Sequence, residues 1–230
     1  MKTFVLAATA AAATLLAASA QAAVFISFDG STSVFSQAGD GAFGFVADCG
    51  VAGAGCGGFE NVTVEGNAPA MLPGLLHSDN VDVNDSGTGP ASITIWVTRT
   101  GLTSLGDVFF SSFTSNNLGG GTSVDLETLI SASNQLFGGV SLASFSHSGN
   151  GSGSQDVNSF FDTGAGTYSV TQKYTISATA SAGDRSSSPS ITLSSGAAAI
   201  PEPATWALMI MGFGGAGAMI RSRRGRLAAA

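Results

Sequence analysis

The chain has 230 residues, of which 44% are hydrophobic, 10% are charged and 32 are glycine. This length and apolar content suffice for one domain of ordinary size, and they exclude a chain that is disordered by composition. Between Ala23 and Ala199 there are 14 acidic residues against 3 basic ones, a net charge of −11. Nucleic-acid binding needs clustered Lys and Arg, and none cluster in this region, so we exclude DNA and RNA as partners.

The N-terminal segment has the three regions of a secretory signal peptide. Lys2 supplies the positive charge, residues 4–18 form an apolar run, and Ala20-Gln21-Ala22 supplies a small-x-small cleavage site. A permanent anchor is the alternative, but a membrane span needs about 20 apolar residues and this run is short and rich in alanine. The sequence therefore predicts a signal peptide over residues 1–22, cleaved after Ala22, and export of the rest.

The chain contains two cysteines, Cys49 and Cys56, in the stretch DCGVAGAGCGG. The glycines between them allow the backbone to fold back, and an even pair of cysteines in an exported protein predicts a disulfide. Two free thiols are the alternative. A redox site would usually have the tighter C-x-x-C spacing, and a zinc site would need further ligands close by.

Most of the region between residues 23 and 199 has a hydrophobic period of two. In SITIWVTR, Ile93, Ile95 and Val97 alternate with Ser, Thr and Trp, which predicts a strand with one buried face. This periodicity predicts an all-β fold, a single jelly-roll-like β-sandwich over residues 23–199. The other short runs, each bounded by turn-forming residues, are VFISF, GAFGFVA, ENVTVEG, DVFFSSFTS, VSLASFSHS, YSVTQKYTISATA and SITLSS.

Two segments of the same region are less regular. In SVDLETLISASNQL, the positions of Leu126, Leu129 and Ile130 fit a helix, whereas the alternation that begins at Val124 fits a strand, and we favour the strand. Residues 67–91 carry three prolines and a run of Asp and Asn, and they are predicted to form a long loop.

The motif search does not identify an enzyme. G-x-G-x-x-G occurs three times, but without the strand and helix that a dinucleotide site requires. His77 and His147 are interpreted as a loop and a strand-surface histidine, since no G-x-S-x-G elbow accompanies them. We predict a non-enzymatic protein, with a secreted hydrolase as the less favoured alternative. Paired carboxylates for glycoside hydrolysis would have to come from acids such as Asp79, Asp82, Asp85 and Asp162.

The polar stretch SDNVDVNDSGTG contains the first half of a calcium-binding loop. Asp82, Asn84 and Ser86 place oxygen atoms at alternate positions, and Gly87 follows them. A full EF-hand is excluded because its twelfth position is Ile93 instead of the bidentate Glu. A solvated turn is the main interpretation and a weak Ca²⁺ site is the alternative. We predict no other cofactor.

The C-terminal segment AIPEPATWALMIMGFGGAGAMIRSRRGRLAAA reads as a membrane anchor. Residues 204–220 are uncharged, and as a helix they rise by about 26 Å, against a hydrocarbon core of about 30 Å. Pro201 and Pro203 cannot lie inside a helix, so the preceding segment is extended. By the positive-inside rule the basic residues 221–230 stay in the cytoplasm, and the domain faces outward.

This tail resembles the PEP-CTERM sorting signal of Gram-negative bacteria, in the variant written PEPxxWA. The resemblance implies a sorting signal over residues 200–230, with the PEP motif at 201–203 and a transmembrane helix at 204–220. It also implies that exosortase, a membrane-embedded cysteine transpeptidase-like enzyme, cleaves near the PEP motif after export by the secretion machinery. The expected route runs from an inner-membrane intermediate to the outer surface or extracellular matrix. The residues that carry the resemblance are Pro201, Glu202, Pro203, Trp206, Ala207, Arg221, Arg223 and Arg224.

Many exported proteins with such a tail resemble Gly/Ser/Thr-rich β-sandwiches associated with exopolysaccharide or biofilm, and GTYSVTQKYTISATA resembles a late strand pair of such domains. The expected function is therefore that of a surface or matrix protein. A carbohydrate-binding, lectin-like module is the alternative, with Trp96, Tyr168 and Tyr174 as its candidate aromatic contacts. An exposed Trp96 beside either tyrosine would favour the module, and a buried Trp96 would favour the structural function.

Overall fold

The computed structural model describes residues 22–49, 55–70, 74–85, 89–103, 107–119, 121–179 and 185–196, together with residues 211 and 213. Within these ranges the chain forms thirteen β-strands, which confirms the all-β prediction. Their bounds are β1 Ala23–Ser27, β2 Ser33–Ala38, β3 Gly41–Asp48, β4 Asn61–Ala68, β5 Gly74–Asp85, β6 Ala91–Thr103, β7 Val108–Leu118, β8 Thr122–Ser131, β9 Val140–Ser148, β10 Gly151–Phe160, β11 Thr167–Ala178, β12 Arg185–Ser187 and β13 Ser190–Gly196.

The strands form two sheets that pack face to face as a sandwich. Sheet A has six strands in the order β2-β1-β6-β11-β8-β9. Sheet B has seven strands, β10-β7-β12-β5-β4-β3 with β13 between β5 and β7. The neighbouring strands pair antiparallel throughout the described ranges.

The hydrophobic core lies between the two sheets and follows the predicted alternation. Ile93, Ile95 and Val97 of β6 are buried, as the period of two predicts. Residues of sheet B, including Val62, Val64, Val81, Val83 and Phe109, complete the core from the other side.

The prediction of a long loop over residues 67–91 is wrong for residues 74–85, which form β5 inside sheet B. The alternation in β5 breaks between Ser78 and Val81, both buried, where the register of β4 also shifts. This irregularity hides the period of two, and the Asp and Asn residues that suggested a loop flank buried Val81 and Val83. The low strand propensity of these Asp and Asn residues was overridden by pairing of β5 with neighbours on both sides.

The sequence analysis also failed to predict three other strands, β2, β10 and β12. β2 and β10 lie at sheet edges, and neither strand has a fully buried side chain to mark a period of two; β10 is also rich in Gly and Ser. β12 has only three residues. The expected strand pair in GTYSVTQKYTISATA is wrong, because Thr167–Ala178 is one long strand. The strand preferred for SVDLETLIS is confirmed as β8.

A buried glutamine joins the two sheets. Gln172 of β11 in sheet A is 0% exposed. Its Nε2 donates hydrogen bonds to the carbonyl oxygens of Leu76 (2.8 Å) and Ile191 (3.0 Å), which belong to sheet B. Its Oε1 accepts a hydrogen bond from the hydroxyl of Ser78, also in sheet B. We call this group the inter-sheet bridge, and it fixes the position of β11 relative to β5 and β13.

Candidate functional site

The outer face of sheet A carries a row of large polar and aromatic side chains. Trp96 of β6 lies opposite Lys173 of β11, which lies opposite Glu127 of β8. Because Ile95 and Val97 point into the core, Trp96 must point outward, and it is half-buried there. The Lys173 Nζ and the Glu127 Oε2 are 3.4 Å apart and form an ion pair. We call Trp96, Lys173 and Glu127 the sheet A row.

A tight turn after β1 supports the Trp96 ring. Gly30 has a φ of 71°, and a Cβ at this position would lie 3.1 Å from Cε2 of Trp96, so both the backbone and the contact require glycine. The carboxylate of Asp29 accepts hydrogen bonds from the N–H groups of Ser31 and Thr32, both at 2.7 Å. These bonds hold the pKa of Asp29 well below its usual range. The turn therefore fixes one edge of the indole.

Hydroxyl groups surround the sheet A row. Ser92 and Ser177 hydrogen bond across the strands at 2.9 Å, and Ser146 donates to Asp125 Oδ1 at 2.6 Å. A shallow groove of about 250 Å³ runs between β8, β9 and β11. The groove is lined by Asp125, Leu126, Glu127, Ser144, Ser146, Lys173 and Thr175. This surface offers alternating donors and acceptors beside one aromatic ring.

The two tyrosines do not join Trp96 on this surface. Tyr168 is 1% exposed and Tyr174 is 0% exposed, so both belong to the core. Burial raises the pKa of Tyr168 to about 12 and moves the pKa of Tyr174 further in the same direction. Trp96 is thus half-buried without a tyrosine beside it. This arrangement lies between the exposed Trp96 beside a tyrosine that would favour a carbohydrate-binding module and the buried Trp96 that would favour a structural function.

A second cleft, of about 400 Å³, contains an ion pair between a buried arginine and an exposed aspartate that sequence reasoning missed. Arg99 is 4% exposed, and its Nη2 lies 2.5 Å from Asp40 Oδ1 and 2.9 Å from the carbonyl oxygen of Pro69. Its Nη1 donates to the carbonyl oxygen of Leu75. These partners already occupy the two guanidinium Nη atoms, so the arrangement ties β5 and the β2–β3 turn to β6. Residues 40 and 99 are far apart in sequence, and no local pattern marks such a pair.

The candidate hydrolytic residues lie in three places, and β5 carries His77, Asp79, Asp82 and Asp85. His77 lies in β5 of sheet B, not in a loop, and His147 lies in β9 of sheet A, where its ring stacks on Phe145 with centroids 6.3 Å apart. Asp79 belongs to β5 and Asp162 to the segment after β10. Within the described ranges, no three His, Cys, Asp or Glu side chains are grouped to hold a metal ion.

The calcium candidates occupy a strand. Asp82 and Asn84 lie in β5, where Asp82 pairs with Thr63 and accepts a hydrogen bond from the Ser188 hydroxyl. Ser86 lies outside the described residues. The Ca²⁺ site stays a prediction, and its two described residues are in an extended conformation where the sequence analysis assumed a loop.

The predicted disulfide is confirmed. Cys49 and Cys56 are bonded, with their Cα atoms 5.9 Å apart. Cys56 is buried, and the Cys49 N–H donates to the Glu60 carbonyl oxygen at 2.7 Å. Gly57 has a φ of 61° and lies directly against the backbone of Ser92, so only glycine fits this turn. The disulfide closes the connection between β3 and β4 and has a structural function.

Comparison with known families explains the C-terminal segment. The family model of the PEP-CTERM protein-sorting motif matches residues 199–224. The chain carries a PEP-CTERM sorting motif. This motif marks an exported protein that passes through a membrane-associated intermediate before exosortase processing. Outside the described residues lie its predicted residues Pro201, Glu202, Pro203, Trp206, Arg221, Arg223 and Arg224. The same holds for the predicted signal peptide except Ala22 and for the predicted transmembrane helix except Met211 and Phe213.

The PEP-CTERM motif is accompanied by weak likenesses over the β-sandwich. No curated protein matches the sequence. A carbohydrate-binding module in complex with beta-1,4-galactotriose is 12% identical with a TM-score of 0.34, over 75% of this chain and 88% of that one. The enzymatically active domain of tailspike protein 4 of bacteriophage CBA120 is 9% identical with a TM-score of 0.30, over 77% and 19%. A structure of infectious bursal disease virus, Gx strain, is 10% identical with a TM-score of 0.27, over 75% and 54%.

Among the residues that the structure describes, no helix is long and apolar enough to cross a bilayer.

Proposed function

We propose that this protein is a non-enzymatic component of the cell surface or extracellular matrix, whose β-sandwich contacts exopolysaccharide after exosortase has processed the tail. The observation that carries the proposal is a PEP-CTERM motif at residues 199–224 on a β-sandwich with hydroxyl-rich outer faces. Exosortase acts on the motif, and the folded domain is the part that remains outside the cell.

The sheet A row supports contact with a polysaccharide. The face of an aromatic ring packs against the apolar C–H groups of a sugar, while hydroxyl and carboxylate groups satisfy the sugar hydroxyls. Trp96 provides the ring, and Glu127 and Asp125 provide acceptors in the adjoining groove. The net charge of −11 between residues 23 and 199 disfavours polyanions, so a neutral or amino-sugar polymer is the proposed partner.

A carbohydrate-binding module is the second candidate function, and the half-buried Trp96 beside the Lys173–Glu127 ion pair favours it. The two candidates differ in what they bind. A module of this kind binds a short oligosaccharide in a defined site, whereas a matrix protein makes many weak contacts along a polymer. The burial of Tyr168 and Tyr174 leaves the half-buried Trp96 as the one aromatic ring of the sheet A row, and this favours weak contacts.

Affinity electrophoresis in gels containing exopolysaccharide from the producing cells tests the proposal. We expect the mature protein to be retarded, and Trp96→Ala to reduce this retardation because the stacking surface is lost. Leu118→Ala is the matched control, since Leu118 is exposed on sheet B, away from the row. Equal mobility of the wild-type protein with and without polymer would refute the proposal. Tight, saturable binding of a short oligosaccharide would favour the module instead.

A further inference from the structure

Two phenylalanine rings are exposed near one end of sheet B. Phe160 of β10 is 72% exposed and Phe110 of β7 is 42% exposed. Phe160 lies opposite Val108 and Asn158 lies opposite Phe110, so the two rings are diagonal neighbours on the outer face, about 7–8 Å apart at Cα. We call Phe110, Phe160 and Val108 the exit patch.

The last described residue of the domain lies at this patch. Gly196 is the last residue of β13, and it pairs with Val108. A Cβ at Gly196 would lie 3.0 Å from Cε2 of Phe110, so the ring lies over the end of the strand. Packing of the core does not require exposed apolar side chains at this place. Such a patch marks a surface that contacts a partner.

The distance from the patch to the sorting motif is short. Five residue steps join Gly196 to Pro201, and at 3.3–3.6 Å per residue they span about 18 Å at most. The motif places its carrier in a membrane-associated intermediate before processing. In that intermediate the patch cannot be far from the bilayer surface. Leu118 lies eight residues from Phe110 on the same strand and face, about 27 Å farther along it.

We propose that the exit patch rests on the outer leaflet of the bilayer while the protein is still membrane-associated, so that the domain is seated on the lipid beside the processing site. The partner is a zwitterionic lipid surface, because the acidic domain would be repelled by anionic lipid. Asp107 precedes the patch and is exposed, and its carboxylate limits the contact to the interface. The inference rests on the sorting motif and not on polysaccharide binding.

Hydroxyl-radical footprinting tests this contact. The protein is purified from membranes of cells that lack exosortase, reconstituted into phosphatidylcholine vesicles, and compared by mass spectrometry with the form that exosortase has released. We expect the oxidation of Phe110 and Phe160 to be several-fold slower in vesicles than in the released form. The oxidation of Leu118 and Val46, which are exposed elsewhere on sheet B, should be unchanged.

Matched variants separate lipid contact from other causes. Phe110→Ser combined with Phe160→Ser should abolish the protection of Val108 in vesicles, whereas Leu118→Ser should preserve it. Equal oxidation of the two phenylalanines in vesicles and in the released form would overturn the proposal. Protection that appears only at a high ratio of protein to lipid would also overturn it, because a second copy of the chain would then cover the patch. These outcomes do not depend on polysaccharide binding. If the mature protein were not retarded in polysaccharide gels, the footprinting results expected here would be the same.

Discussion

Replacing Gln172 by methionine should destabilise the domain by about 2–6 kcal/mol. Methionine has a similar length and volume, so the change creates little cavity. It removes the two hydrogen bonds to the carbonyl oxygens of Leu76 and Ile191 and the acceptor of the Ser78 hydroxyl, in a position that is 0% exposed. A buried polar group that loses its partner costs about 1–3 kcal/mol. Since the Ser78 hydroxyl also lies near Tyr174, we count the two carbonyl groups as the main loss.

Gln37→Met is the matched control. Gln37 also donates one hydrogen bond to a backbone carbonyl oxygen, that of Ala42 at 3.0 Å, but in an exposed position. Its replacement should change the free energy of unfolding by at most about 0.5 kcal/mol. Guanidinium titration measures both variants, and the m value should stay constant if only stability changes. A Gln172→Met variant as stable as Gln37→Met would refute the idea that the inter-sheet bridge stabilises the sandwich.

Three further predictions concern ionisation and covalent structure. Because burial raises the pKa of Tyr168 to about 12 and that of Tyr174 more, stability should be unaffected below pH 10 and fall above it, by up to about 1.4 kcal/mol per pH unit per tyrosine. Absorbance at 295 nm should show no tyrosinate until unfolding, and ionisation near pH 10 in the folded protein would contradict this. The denatured, unreduced protein should contain no reactive thiol, and reduction of Cys49–Cys56 should cost about 2–3 kcal/mol; two thiols per chain would exclude the disulfide. The hydrogen bonds to Asp29 contribute their full stability above its ordinary pKa of 3.8, and this contribution declines below 3.8 as the pH falls towards the lower pKa of the folded state. An NMR titration of this carboxyl should therefore have its midpoint well below 3.8, and a midpoint at 3.8 would be inconsistent with the turn.

The features that sequence analysis predicted correctly are local ones. The alternation around Ile95, the spacing of Cys49 and Cys56, and the C-terminal motif are each contained in one continuous stretch of sequence, and each favours one interpretation. The irregular alternation of β5 and the polar edge strand β10 gave no such signal, because their conformation depends on pairing with distant strands.

The contacts that shape the candidate site are separated widely in sequence. Trp96 meets Lys173 only because β6 pairs with β11, and the register of that pair cannot be read from either segment alone. Arg99 and Asp40 likewise come together through the fold. The burial of both tyrosines could not be predicted for the same reason, since their outward or inward direction depends on which face of β11 meets sheet B.

The C-terminus of the mature protein decides between a processed sorting signal and a permanent anchor. In cells with exosortase, mass spectrometry of surface or matrix protein should find a chain that ends near residues 201–203, with no peptide containing Trp206 or Arg221. A Glu202→Ala variant should instead accumulate as a larger, inner-membrane form, because the recognition segment is altered. Mature wild-type protein at the cell surface with its whole tail, including Arg221, would contradict sorting by cleavage and make the segment a permanent anchor.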